Sequence, residues 1–346
     1  MINYLEMYGL TDRIRNTALL SANTQLARVI GEQKELYRVV TEDGLHSAEV
    51  TGKLRFNAIS RADFPAVGDW VVCRAVANGP VLIESILPRF SQFTRKMAGV
   101  TTDAQVVAAN MDTVFIVMAL NHDFNLRRLE RYVTLAYDSN AAPVVVLTKA
   151  DLTDHVSEQI AAVQETAPGM PVQAVSAVAD QGKDALLPYF QTGQTVVLLG
   201  SSGAGKSTLA NWLLDAQVQA TKDVRSGDDH GKHTTTSKEI FRLPTGGLLM
   251  DTPGMRELQL WDTDETSFAQ SFQDIETLAQ NCRFRDCTHE HEPGCAVQAA
   301  IQAGTLDPHR LASYRKLQRE SAFIARQTAQ RSKVLEHRAN KRRYAN

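Results

Sequence analysis

The sequence predicts a multidomain protein with an N-terminal β-barrel of the oligonucleotide-binding (OB) type, a central α/β domain on a doubly wound parallel sheet, and a C-terminal α-helical domain around a metal-binding cluster. Three observations predict it. Short, turn-punctuated strands follow one another from about residue 36, continuous apolar runs alternate with helical stretches from about residue 103, and three of the four cysteines fall within residues 282–295. At about 150 residues per domain, 346 residues is long for one, and the changes of texture divide the chain into 1–102, 103–262 and 263–346.

The first 34 residues read as mixed, with a helix. LYRVVT, HSAEVTGKLRF, AVGDWVVCRAV and GPVLIESILPR then read as strands of a small antiparallel barrel, with EDG and ANGP among the turns between them. A five-stranded OB barrel fits, and other small barrels fit almost as well. SQFTRKMAGVTTDAQ reads as a polar linker. Next, VFIVMAL, PVVVLT, PVQAVSA and QTVVLL are continuous apolar runs, as strands covered on both faces are. LRRLERYVTLAYDSN and DHVSEQIAAVQETA read as helices between them. EIFRLPTGGLLMD adds an antiparallel edge hairpin, and beyond Trp261 the chain turns helical.

Composition is that of a globular protein, 43% hydrophobic and 22% charged. No run approaches the roughly 18 apolar residues of a spanning helix. MINYLEMYGLTDRIRN also lacks a basic end followed by an apolar run, so a cytoplasmic protein is expected, with no membrane partner and monomer as the default. Net charge is −2, yet residues 310–346 hold 11 Lys and Arg against Glu320 and Glu336. Such a tail suits a polyanion such as nucleic acid; a helix with a solvated basic face is the plain alternative.

GSSGAGKST at 200–208 matches G-x-x-x-x-G-K-[ST] and stands after the strand TVVLL and before the helix STLANWLL. Gly200, Gly203 and Gly205 let the backbone curl around Ser201, Ser202 and Ala204 so that amides face phosphate oxygens, and the helix adds its positive end. In this pattern Lys206 pairs with the β- and γ-phosphates, Ser207 holds Mg²⁺, and Thr208 bonds a further phosphate oxygen. DTPG at 251–254 closes the hairpin strand, where Asp251 bound to Mg²⁺ through water and Gly254 sensing the γ-phosphate should lie. Between them, DDHGKHTTTSKEI has the polarity of a switch loop, and Thr234 or Thr235 is placed to reach Mg²⁺.

TKAD at 148–151 follows the strand PVVVL. There Asp151 can accept from guanine N1–H and N2–H, donors adenine does not offer it, with Lys149 along the base plane and Ala150 between them. Asn is usual where Thr148 stands, and its amide braces the P-loop; a Thr hydroxyl reaches less far. Ser176 and Ala177 fit the backbone contact to guanine O6. The order TKAD, SA, GSSGAGKST, GKHTTT, DTPG is a circular permutation of the ordinary GTPase order, which an open α/β sheet tolerates because its exposed ends can be joined and recut. DTPG then leads directly to the C-terminal region, so movement at Gly254 could pass to it.

Cys282, Cys287, His289 and Cys295 form C-x4-C-x-H-x5-C, four ligands suited to a closed tetrahedral structural Zn²⁺ site. His291 is a rival ligand, and unmetallated thiols are the alternative. Cys73, in WVVCR, reads as a core residue.

Together these residues resemble the circularly permuted GTPases called RsgA or YjeQ, from the barrel with its VGDWV turn, through AANMD and the permuted motifs, to the Cys/His cluster and basic tail. The resemblance implies an OB barrel, a P-loop GTPase, a zinc domain, GTP and GDP as ligands, and action with the small ribosomal subunit and its rRNA in late assembly. It also implies low intrinsic hydrolysis that the subunit stimulates. Thr148 is the departure. Met255 stands where many GTPases carry a water-orienting Gln, and a Met cannot orient water; the resemblance places a His in the GKHTTT loop, here His233, which is the candidate replacement, with Arg256 behind it. A metabolic P-loop kinase or ATPase, a GTP-regulated RNA-binding module with little turnover, and a diverged P-loop NTPase on another RNA partner are the other readings.

Overall fold

Apolar side chains two apart along the N-terminal strands form one core, and the pairing of the first strand with the fourth closes them into a barrel around it. The computed structural model of the chain describes residues 3–33, 36–77, 79–96, 104–216, 238–251, 269–319 and 322. These divide into two compact units, Met1–Asn125 with Ser139–Gln259, and Leu126–Asp138 with Leu260–Asn346.

The first unit begins with two short helices, α1 (Tyr4–Met7) and α2 (Asp12–Thr17), each capped by a side chain, that of Asn3 or Thr11. Five strands follow: β1 (Gln25–Gln33), β2 (Leu36–Val40), β3 (Leu45–Val50), then, after α3 (Gly52–Asn57), β4 (Trp70–Arg74) and β5 (Val81–Ile86). Their order β1-β2-β3-β5-β4, closed by β1 pairing β4 and with β3 and β5 parallel, is the five-stranded barrel expected. Ala27 and Val29, Tyr37 and Val39, Val71 and Cys73 point inward in pairs two apart. Burial pushes the Cys73 thiol up to about 12, as suits a core residue. In the VGDWV turn, Gly68 has φ +96°, and a Cβ there would lie 1.9 Å from the Ala109 carbonyl oxygen, so only glycine fits.

Three readings are corrected here. The barrel's first strand lies in residues 25–33, in the stretch read only as mixed, because LARVIGEQ alternates too briefly before its turn. HSAEVTGKLRF is not one strand: β3 stops at Val50, and Thr51 caps α3 by accepting from Leu54 N at 3.2 Å. The stretch read as a polar linker forms strand β6 (Gln92–Lys96), antiparallel to β7 (Ala104–Ala109).

The chain then builds β8 (Thr113–Ala119), helix α4 (Leu126–Asp138), β9 (Ala142–Thr148), α5 (Val156–Thr166), β10 (Val172–Ala174), α6 (Lys183–Leu186), β11 (Thr195–Leu199) and α7 (Lys206–Leu214). The hairpin β12 (Lys238–Arg242) and β13 (Leu248–Asp251) follows. Strands β10-β9-β8-β11-β13 are parallel. Leu209, Ala210, Leu213 and Leu214 of α7 form a stripe packed with Phe115 and Val117. The hairpin is not an edge: β12 pairs antiparallel with β1, Gly31 opposite Glu239, which joins barrel and parallel sheet into eleven strands. An unpaired strand edge is a template for wrong pairing, and β1 covers it, with Lys238 to Glu32 at 2.7 Å and an Arg38–Glu239 ion pair.

Arg28, 2% exposed, ties this junction. Its guanidinium donates to the carbonyls of Tyr8 (2.5 Å), Gly68 (3.4 Å) and Asn110 (2.9 Å) and to Thr195 Oγ1 (3.0 Å), over the Trp70 ring. Burial lowers its pKa to about 10, with Asp112 and Asp69 opposing. Within AANMD, Asn110 takes φ +53°, and Asp112 Oδ2 accepts from Thr195 N at 2.7 Å, fixing the start of β11.

The second unit holds α4, α8 (Gln273–Ala279), α9 (Ala296–Gln302) and a helix over 308–319. Arg310 is its hub, donating to Glu130 Oε1 at 2.9 Å, both Asp274 oxygens at 2.5 and 2.8 Å, and the Ser271 carbonyl at 3.0 Å. Arg315 donates to the carbonyls of Thr288 and His289. These two cations of the basic tail are therefore internal ties; the tail beyond residue 322 lies outside the described residues.

Candidate functional site

Parallel strands end together, and the motifs sit on those ends. Strands β8, β9, β11 and β13 finish at Ala119, Thr148, Leu199 and Asp251, so Thr148 to Asp151, Ser176 and Ala177, Gly200 to Thr208 and Asp251 share one edge of the sheet. His233, Thr234, Thr235 and Gly254, with Met255 and Arg256, lie outside the described residues.

The loop Gly200 to Gly205 turns on three glycines of positive φ, and a Cβ at Gly200 would lie 2.3 Å from the Val117 carbonyl oxygen. Lys206 opens α7 and folds back, its Nζ donating to the carbonyls of Gly200 (2.7 Å) and Ser201 (2.5 Å). Those contacts hold the ammonium over the loop. Ser207 is half-buried, while Ser202, Gly203 and Thr208 are exposed and Ala204 is buried.

Two side chains brace this loop from neighbouring strand ends. Thr148 Oγ1 donates to the Ala204 carbonyl at 2.6 Å, with the Met118 carbonyl 3.4 Å away. The shorter threonine thus reaches the loop after all, because Gly205 lets it approach: a Cβ there would stand 3.3 Å from Thr148 Oγ1. Ser201 Oγ donates to Asp123 Oδ2 at 2.5 Å. Sequence reasoning missed Asp123, although its place in NHDFN, just past the end of β8, is where site loops gather.

The TKAD and SA segments are joined directly. Ser176 Oγ donates to Asp151 Oδ1, and Ala150 N donates to the Val175 carbonyl at 3.2 Å. Lys149 takes φ +60°, which turns the chain into the Ala150–Leu152 3₁₀ turn. Asp251 ends β13 beside β11, and burial pushes its carboxyl up to about 6 while Lys206 pulls it down. An ammonium, a hydroxyl and two carboxylates on one glycine-rich sheet edge fit a nucleoside triphosphate and Mg²⁺.

Cys282, Cys287, His289 and Cys295 come together with their ligand atoms all within 4.8 Å of one another. Cys282 Sγ to His289 Nδ1 is 3.6 Å, Cys295 Sγ to His289 Nδ1 3.5 Å, and Cys282 Sγ to Cys295 Sγ 3.9 Å. A tetrahedron of Zn–S bonds of about 2.3 Å has edges of about 3.8 Å, so the four atoms fit zinc. Burial first, then Arg315, lowers the His289 pKa, which favours the neutral imidazole that a ligand must be. Burial alone would raise the Cys282 thiol, but the amides of Ala296 and Val297 at the start of α9, together with Cys295 and Cys287, outweigh it and lower it. His291 is not in this group.

Motif order, strand order and this cluster define a class: a circularly permuted P-loop GTPase with an N-terminal five-stranded barrel and a Cys₃His metal site. The family model described as RsgA GTPase matches residues 86–261. A model described as ABC transporter also matches, over residues 188–335, less than half of the chain and a stretch that contains the P-loop common to both. The chain is 49% identical to a small ribosomal subunit biogenesis GTPase RsgA 2 of Lactiplantibacillus plantarum over 91% of this chain and 89% of that one. Among solved structures, YjeQ from Thermotoga maritima superposes with a TM-score of 0.65 at 25% identity, covering 86% of this chain and 99% of that one. YloQ, described as a circularly permuted GTPase, gives 0.62 at 26%, covering 88% and 98%. The chain belongs to the RsgA GTPase family, whose members are GTP hydrolases. Among the described residues, no helix is long and apolar enough to cross a membrane.

Proposed function

We propose that this GTPase binds the small ribosomal subunit, assists its late maturation in the cytoplasm, and hydrolyses GTP to GDP and phosphate when the subunit stimulates it. The observation that carries the reading is the joining of base reader to phosphate loop: Ser176 orients Asp151, and Thr148, three residues before it, bonds the loop at Ala204. In this reading Asp151, with Lys149 and Ala150, selects guanine, and Ser176 and Ala177 contact its O6. Gly200 to Gly205, through Ser201, Ser202, Gly203 and Ala204, cradle the phosphates. Lys206 leaves its loop carbonyls for the β- and γ-phosphates, and Thr208 bonds a further phosphate oxygen. Mg²⁺, when bound, would supply charge neutralisation and would be held by Ser207, by Asp251 and by Thr234 or Thr235, while Gly254 senses the γ-phosphate. His233 orients the attacking water, which Met255 cannot do.

The labour divides along the chain, with rRNA contacts in residues 1–102 and the basic tail, catalysis in 103–262, and a structural zinc in 263–346; the protein acts as a monomer. The relatives' printed names support the subunit as partner. The test is GTP and ATP turnover by the purified protein with and without salt-washed small subunits. Strong stimulation of GTP hydrolysis alone is expected, and equal use of ATP or no stimulation refutes the reading. If His233→Ala keeps stimulated turnover, the water-orienting role belongs to another group.

A further inference from the structure

Helix α7 leaves the glycine-rich loop at Lys206, and its far end holds the segment that follows β10. Trp212 Nε1 donates to Asp180 Oδ1 at 2.7 Å, and Asp215, which caps the helix, accepts from Lys183 Nζ at 2.5 Å. The Lys183 ammonium also stands 5.7 Å from the centre of the Trp212 ring. That ring packs against the core of the parallel sheet, so its N–H is held in one direction.

The segment so gripped contains Ser176. Ser176 and Gln181 exchange backbone hydrogen bonds of 3.0 and 2.9 Å, which close residues 176–181 into a loop. Within it, Ser176 Oγ accepts from Ala179 N at 3.1 Å and donates to Asp151 Oδ1. The closure needs a left-handed residue, and Asp180 supplies it with φ +52°. Asp tolerates that conformation better than most residues, yet it persists only where neighbours fix it. Trp212 fixes it from outside the loop. The Lys183–Asp215 pair is largely exposed and adds little by itself, so the directional indole N–H is the principal tie.

One helix therefore meets both halves of the site. Its first residue follows the loop that suits phosphates, and its last turn steadies the loop that orients Asp151. We propose that Trp212 is a positioning residue for guanine: through Asp180 it fixes the loop of residues 176–181, and through Ser176 it fixes the Asp151 carboxylate. The inference rests on the base reader assigned above, and it adds a determinant of base choice that belongs to none of the nucleotide-binding motifs. Because the tie acts on the base loop and not on the phosphate loop, its loss falls on recognition of the base.

The test is calorimetric titration of the nucleotide-free, zinc-loaded full chain with GDP, ADP and inorganic tripolyphosphate, the last a probe of the phosphate loop without a base. Trp212→Phe keeps a ring beside Lys183 and removes the donor. It is expected to weaken GDP binding about fivefold, the worth of one hydrogen bond, and to leave tripolyphosphate binding unchanged. Asp180→Gly permits the positive φ and deletes the acceptor, so it should match Trp212→Phe, and the double variant should bind no more weakly than either. Asp180→Asn, which keeps an acceptor and tolerates the φ, should retain the parent's affinity for GDP. Unchanged GDP binding by Trp212→Phe, or an equal loss for GDP and tripolyphosphate, overturns the inference and leaves the guanine reader standing. A parent chain that binds ADP as tightly as GDP refutes the guanine reader, and this inference falls with it.

Discussion

Removing one hydroxyl tests how the phosphate loop is held. Thr148→Val keeps the shape of a side chain that is 5% exposed, so it opens no cavity, and it deletes the donor that meets the Ala204 carbonyl at 2.6 Å. A buried acceptor left without its partner costs about 1–3 kcal/mol. That cost can be met in two ways. Either the loop keeps its form and the whole protein loses stability, or the loop relaxes and the loss appears in nucleotide affinity, at tenfold per roughly 1.4 kcal/mol. Denaturant unfolding and titration with a fluorescent GDP, run on the same samples, should together account for about 1–3 kcal/mol. Thr148→Ser, which retains the hydroxyl, should lose only the burial of a methyl group, about 0.8 kcal/mol, and keep affinity. If Thr148→Val matches the parent in both measurements, the hydroxyl is not a brace, and the reason for a threonine at the base reader must be sought elsewhere.

Four further outcomes are expected. Arg28→Met leaves the carbonyls of Tyr8, Gly68 and Asn110 and the Thr195 hydroxyl without their buried donor and should cost about 3–5 kcal/mol in denaturant unfolding. Asp123→Ala removes the acceptor of Ser201 Oγ and should weaken GDP binding about tenfold with little change in unfolding, since the contact is only partly buried. Asp251 has a carboxyl raised from 3.8 to about 6, so the native state holds its proton longer than the unfolded chain does. Stability of the nucleotide-free protein should therefore fall from about pH 4 to pH 6, by up to about 3 kcal/mol, and Asp251→Asn should flatten that part of the curve relative to the parent. Cys287→Ser, or a strong chelator, should release one zinc per chain and abolish cooperative unfolding of the C-terminal unit, read by metal analysis and circular dichroism.

Much of this was legible in the sequence because local pattern and final environment agree. VFIVMAL and the VVLL of QTVVLL are apolar and became strands covered on both faces; GSSGAGKST turns between a strand and a helix because its glycines supply the positive φ that other residues rarely adopt. What escaped depends on partners distant in the chain. The pairing of β1 with β12 joins residues more than 200 apart, and no window of sequence reports it. Arg28 reads as a surface cation among apolar neighbours until Asn110 and Thr195 close over it. The same holds for Arg310 and Arg315, counted with a nucleic-acid-binding tail by composition and engaged inside the C-terminal unit by geometry. Charge counts report what a segment carries, not where each charge is spent.

The permutation becomes intelligible on the same terms. What the chemistry needs is the spatial order β9-β8-β11-β13 with all four strands ending on one edge, and that order is indifferent to which strand the chain enters first. Here the chain lays down Asp123 and Thr148 before it reaches the loop they hold, so the scaffold of the phosphate site precedes the site itself. The order also fixes the covalent routes out of the site. Two residues after Asp123 the chain leaves the first unit for α4, whose Glu130 is bound to Arg310 in the second, and returns at Ser139 to build β9. The glycine-rich loop held by Asp123 thus lies two residues of chain from α4, and the chain after Asp251 is a second covalent route to the C-terminal unit. Asp123→Ala alters the first of these routes and leaves the second as it is.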